Sequence, residues 1–161
     1  MKPIKIFDKS KKKKFIERVS YLGIERVPYL LIQTGKERIR GFSGSLSLEE
    51  ISKLRVLLPV EVIGLYLAKE LENKDMRLSV DALHIMKNQI TKNIVNISKE
   101  QEKEWFFGKN IELTPEQQEK YASIKGFVAV ESEGDFLGTG KLSDDKKVMI
   151  NFLPKERRVK N

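Results

Sequence analysis

The sequence has no cysteine and a single histidine, His84. Without a thiol there is no disulfide framework and no thiolate chemistry, a composition that suits a reducing compartment. One imidazole supplies no histidine pair for zinc, and a serine–histidine–aspartate triad would have to use His84. That residue lies between Leu83 and Ile85 on an expected helical turn, where a structural role is the expectation. No apolar run reaches the roughly 18 residues that span a bilayer, so no membrane partner is expected. The opening stretch MKPIKIFDKSKKKKF is basic but has no apolar segment leading to small residues. A secretory leader is therefore not expected, and the expected compartment is the cytoplasm. Internal repeats and low-complexity tracts are also missing.

Phosphate-cradling loops are missing as well, although GDFLGTGKL (134–142) resembles one at first sight. If Gly140-Lys141 is aligned with the G-K of a G-x-x-x-x-G-K-[ST] loop, Asp135 falls on the first glycine and Leu142 on the hydroxyl residue. The acid repels phosphate, leucine cannot bind magnesium, and the stretch lies between expected strands instead of leading into a helix. There is no G-x-G-x-x-G for a dinucleotide. The acids of KEQEKEW alternate with lysines as a solvated helix face does, and Asp144 with Asp145 reads as a turn. No carboxylate pair sits in an apolar setting that would raise a pKa for acid–base work. No catalytic residue, cofactor site or metal site is expected.

What the chain does have is positive charge. Its 161 residues are 40% hydrophobic and 34% charged, with a formal net charge of +8. Such an excess favours a polyanionic partner through counterion release and long-range attraction.

Along the chain, Asp8 caps a first helix running to about Leu22, with Phe15, Val19 and Leu22 at helical spacing and Gly23 as the stop. Lys11, Lys12, Lys13, Lys14 and Arg18 occupy its other face, which reads as solvated or as a second basic surface. PYLLIQTGKERIRGF forms a hairpin turning at Gly35, with Ile39 and Phe42 facing one way. Ser47 and Glu50 make a capping box, and Pro59 closes that helix. VEVIGLYLAKEL reads as a buried strand, and MRLSVDALHIM as a short strand entering a helical turn.

After KNQITKN a second pattern begins. NIVNI is a strand, Ser98 and Gln101 cap a helix stopping at Gly108, and NIEL is a strand. Thr114 and Pro115 cap another helix. GFVAVES, FLGTGKL and KVMINFL are strands joined by hairpin-sized turns. The fold class is α/β (α+β), an α/β domain over residues 1–88 followed by a barrel-like module over 89–161.

The module's charge concentrates at its end, in KVMINFLPKERRVKN and the lysine before it, where Lys146, Lys147, Lys155, Arg157, Arg158 and Lys160 face one acid, Glu156. Paired arginines offer planar forks to phosphates and can stack on unpaired bases. The bland alternative is a frayed basic terminus that aids solubility.

With these residues in view, the chain resembles the Nip-seven family of ribosome-biogenesis factors, which join an N-terminal pre-PUA α/β domain to a C-terminal PUA domain, a β pseudo-barrel. MRLSVDALHIM looks like the family's F-R-L-x-V-T-A-L, with Met76 for phenylalanine and Asp81 for threonine. EWFFGKNIE is similar to F-x-Y-G-N-x-V, with Phe107 for tyrosine and Lys109 inserted. GFVAVESEGDFLGTGKL resembles the strand pair G-V-V-V and P-L-G-x-G, with Phe136 for proline, and NFLPKERRVK matches a basic C-terminal segment of archaeal-type members. The resemblance implies RNA binding without catalysis in large-subunit ribosome biogenesis and rRNA processing. By position, Lys155, Arg157, Arg158 and Lys160 would contact phosphate, with Lys147 and Lys141 beside them. The implied partners are rRNA or pre-rRNA, in single-stranded segments, and other biogenesis proteins bound by the N-terminal domain. PUA domains also accompany RNA-modifying enzymes, so an accessory or targeting subunit of an RNA methyltransferase is the alternative. A small self-contained enzyme would instead need a deep polar pocket at His84 or at paired acids.

Overall fold

The computed structural model describes residues 4–160. Residues 1–3 and 161, which belong to the expected domain ranges and to the basic opening stretch, lie outside the described residues. The fold is mixed α and β, with an N-terminal α/β region and a curled half-barrel sheet in the C-terminal region. Two compact units divide between Ala82 and Leu83, and Tyr21–Gly23 is counted with the second. The sequence places its boundary at 88/89.

In the first unit, five strands run in chain order across one antiparallel sheet: β1 (Ile4–Ile6), β2 (Leu30–Thr34), β3 (Arg38–Phe42), β4 (Leu65–Glu70) and β5 (Met76–Leu78). Helix α1 (Lys9–Val19) starts where the Asp8 carboxylate accepts a hydrogen bond from the Lys11 amide at 2.8 Å, the N-cap read from the sequence. Its buried residues are Phe15 and Val19, its Lys11, Lys13 and Lys14 are exposed, and Leu22, buried, follows in a 3-10 turn. Helix α2 (Leu48–Leu57) carries the Ser47–Glu50 capping box in full.

Two expectations in this unit are corrected. Ile39 and Phe42 do not share a face. Ile39 and Gly41 are buried while Arg38, Arg40 and Phe42 lie on the other side, because a strand alternates with period two and three positions is an odd step. The strand expected throughout VEVIGLYLAKEL forms only from Leu65. Val60–Gly64 carries no strand pairing, Val62 is exposed, and Gly64 sits at φ +79°, outside strand geometry.

Helix α3 (Val80–Ile85) leads into the second unit, whose sheet has the order β6 (Ile94–Asn96), β8 (Phe127–Ser132), β9 (Asp135–Leu142), β10 (Val148–Asn151), β7 (Ile111–Glu112). Among the described residues only β6 and β8 pair in parallel, and the connection this demands holds α4 (Lys99–Phe106), β7 and α5 (Pro115–Lys120). Both helices start with complete capping boxes, Ser98–Gln101 and Thr114–Gln117. The two glutamines also bond each other, with Gln101 Nε2 donating to Gln117 Oε1 at 2.9 Å and Gln117 Nε2 to Gln101 Oε1 at 3.0 Å. One amide pair thus ties both caps together, each cap being worth about 1 kcal/mol. The core side of the sheet carries Val128, Val130, Leu142 and Met149, with Trp105 of α4 fully buried.

The glycines of β9 have packing roles. Val130 pairs with Gly138 but Glu131 with Phe136, so Leu137 is an extra residue in a bulge, and Gly138 has φ +150°. At Gly140 an added Cβ would lie 2.9 Å from Met149 Cγ and 3.1 Å from Val130 Cγ2, so only hydrogen fits between those buried neighbours.

Candidate nucleic-acid interface

The basic C-terminal segment is held in place by backbone and side chain alike. Along β10 the residues alternate, Met149, Asn151 and Leu153 inward, Val148, Ile150 and Phe152 partly or largely exposed. Asn151 is the polar exception on the inward side, 8% exposed. Its Nδ2 donates to the carbonyls of Trp105 and Lys109, both at 2.9 Å, and its Oδ1 accepts from the Leu153 amide at 2.7 Å. One side chain therefore satisfies three backbone groups and joins the last strand to the end of α4.

Beyond it, Pro154 opens a single 3-10 turn, Lys155–Arg157. The Val159 amide then donates to the Phe106 carbonyl at 2.8 Å, satisfying a carbonyl at the C-terminal end of α4. Arg158 Nε donates to the Leu153 carbonyl at 3.0 Å. The arginine stem lies over Gly108, where an added Cβ would come within 2.5 Å of Arg158 Cδ. Gly108 has φ +78°, so it both ends α4 and admits the arginine. This segment is not a frayed end.

The six residues expected to contact RNA, Lys155, Arg157, Arg158, Lys160, Lys147 and Lys141, fall into different settings. Lys155, Arg157 and Lys160 are exposed on the pinned segment, whereas Arg158 is half-buried and its Nε is already engaged. Among the described residues, Lys155 and Lys160 pair with no carboxylate. Lys147 is exposed at the β9–β10 turn, where its amide donates to Asp145 Oδ1 at 3.0 Å. The Ser143 hydroxyl, helped by that amide, holds the Asp145 carboxyl below its ordinary value of 3.8, so this acid stays charged and offsets part of the Lys147 field. Lys141 is half-buried, its ammonium 5.5 Å from the centre of the Phe127 ring, a cation–π distance. Phe127 meets Phe152 edge to face at 5.7 Å, and Ile150 pairs across the sheet with Lys141. The outer side of β10 therefore combines apolar and aromatic surface with a cation.

Sequence reasoning missed Asn151, though its signal was present: a lone amide at the inward position of VMINFL. It also missed Ile150 and Phe152 as an outward stripe, legible in the same alternation.

His84 behaves differently from an apolar-packed residue. It is exposed, and its Nε2 donates to the Phe136 carbonyl at 2.7 Å, which fixes the proton on that nitrogen. Among the described residues no group of three or more histidine, aspartate or glutamate side chains is placed to hold a metal ion, and no helix is long and apolar enough to cross a membrane.

Residues 92–159 match the family model described as the Methyltransferase RsmF PUA domain. The matched span runs from β6 to the pinned basic segment, so the second unit carries a PUA domain, an RNA-binding domain. No curated protein matches the chain.

Proposed function

We propose that this PUA-containing chain is a non-catalytic cytoplasmic RNA-binding protein of the Nip-seven type, acting in rRNA processing and large-subunit ribosome biogenesis. The observation that carries the reading is a PUA domain whose basic end is sewn to α4 while Lys155, Arg157 and Lys160 stay on its surface. A fixed array of cations loses less conformational freedom on binding than a loose tail does. In this reading Lys155, Arg157, Lys160 and Lys147 contact phosphates, and Arg158, whose Nε anchors the segment, adds its charge to them. Lys141 adds charge beside the partly exposed ring of Phe152, on which an unpaired base can stack, with Phe127 buried behind it. The domains are the pre-PUA region to residue 88 and the PUA domain from 89. The first domain docks biogenesis proteins, a role supported by its exposed Val56, Leu57, Leu58 and Val62.

The second reading is an accessory or targeting subunit of an RNA-modifying enzyme. It is favoured by the description of the matched family, which names a methyltransferase. Affinity purification from cells with sequencing of crosslinked RNA separates the two. Recovery of pre-rRNA with large-subunit precursors is expected, and stoichiometric recovery of a methyltransferase with its substrate RNA would favour the second reading.

A further inference from the structure

The first unit contains a cavity of about 160 Å³ lined by Phe7, Lys11, Lys14, Phe15, Arg18, Gln33, Glu70 and Met76. Lys11, Lys14 and Arg18 stand three and four residues apart on α1, so their side chains share one face of the helix and converge on this space. Placing like charges at those spacings opposes folding.

The KKKK run is not uniform. Lys12 donates from its ammonium to the Tyr29 carbonyl at 2.8 Å and is half-buried. Lys13 is exposed and lines no part of the cavity. Arg18 is held by Glu70 at 3.1 Å, and Glu70 is also met by Lys74 at 3.2 Å, so two cations neutralise the one carboxylate in the lining. Lys11 and Lys14 are left with no carboxylate partner among the described residues. At roughly 30 Å³ per water in the liquid, the space holds about five waters, room for one phosphate group with part of its hydration.

Building on the RNA-binding reading above, we propose that this cavity is a second phosphate-binding site, taking a backbone phosphate of the same ribose-phosphate polymer on the first unit. Lys11 and Lys14 supply the unpaired charge, and Glu70 fixes the guanidinium of Arg18 at the wall. A lipid surface is the poorer fit. The cations border a concave space whose apolar lining residues Phe15 and Met76 are 1% and 2% exposed, which leaves the partly exposed Phe7 alone to meet a bilayer.

The test uses the full ¹⁵N-labelled chain and inorganic phosphate, followed by single-stranded RNA. Phosphate is expected to shift the amide resonances of Lys11, Lys14 and Gln33. Lys11→Gln/Lys14→Gln should abolish those shifts, whereas Lys13→Gln, with equal loss per lysine outside the cavity, should keep them. With RNA, the double variant should reduce the log–log salt slope by about 1.4, from about 0.7 per contact, and Lys13→Gln should leave it unchanged. Equal loss per lysine in both variants would reveal a diffuse field and overturn the site. Phosphate shifts without a change in RNA slope would reduce it to a small-anion pocket, and loss confined to binding of anionic vesicles would make the partner a membrane; either overturns the proposal. An unchanged slope here beside a lowered slope on neutralising Lys155, Arg157 and Lys160 defeats this inference alone. A wild-type chain that binds no RNA defeats the functional reading and this one together.

Discussion

Helix α1 and the C-terminal segment are the two most basic stretches of the chain, and they hold their charge in different ways. On α1 the backbone is regular and the charge is held by the helix, with Lys12 and Arg18 turned back onto the Tyr29 carbonyl and Glu70. On the C-terminal segment there is only one turn of 3-10 helix, and position is set from outside by Asn151, Val159 and Arg158. A run of like charges is thus not a run of like roles. In each stretch some cations secure the chain and others stay on the surface.

That contrast breaks most visibly at Asn151. Asn151→Leu strands the carbonyl of Lys109 and the amide of Leu153, at about 1–3 kcal/mol per buried unpaired group, and takes from the Trp105 carbonyl one donor while the Gly108 amide remains. Urea unfolding should show a loss of about 3 kcal/mol or more. Lys12→Gln, which removes the comparable tie on α1, should cost about 1 kcal/mol or less, since its partner carbonyl is nearer to solvent. Equal losses would erase the distinction between the two stretches.

Gly108→Ala comes next. It places a Cβ at φ +78° and within 2.5 Å of the Arg158 stem, for an expected cost of about 2 kcal/mol by thermal or urea unfolding. The two neighbouring arginines then sharpen the comparison. Arg158→Gln should lower stability by about 1 kcal/mol through its lost bond to Leu153. Arg157→Gln, exposed on the same turn, should change stability by less than about 0.5 kcal/mol yet lower the RNA salt slope by about 0.7.

The smallest effect is one of pH. The Ser132 hydroxyl, and after it Lys99, hold the Glu102 carboxyl below its ordinary value of 4.5. A depressed folded-state value contributes stability above 4.5 that is lost as pH falls through the folded value. Glu102→Gln should therefore lower stability slightly at neutral pH and flatten the acid limb below 4.5, so that the two profiles converge at low pH. An acid limb of equal steepness in the variant would assign the stabilisation elsewhere.

Much of this architecture was legible in the sequence because local signals coincide with the fold. The caps at Asp8, Ser47, Ser98 and Thr114 and the stops at Gly23 and Gly108 are short-range chemistry, and each stands where it was read. Strand limits were less legible where pairing decides. VEVI has β-branched residues but finds no neighbouring strand, and propensity alone does not pair a backbone. In the interface the cations were visible as composition. Their sorting into anchor and surface was not, because it depends on contacts such as Arg158 over Gly108, fifty positions apart. Asn151 shows the same limit, since its partners at Trp105 and Lys109 are long-range.

The central claim is that surface cations fixed on the PUA domain bind an RNA backbone. Its most direct test is the salt dependence of single-stranded RNA binding by the full chain and by Lys155→Gln/Arg157→Gln/Lys160→Gln. Three lost contacts at about 0.7 each should reduce the log–log slope by about 2 while leaving the unfolding midpoint essentially in place. An unchanged slope and affinity in that variant would contradict the account.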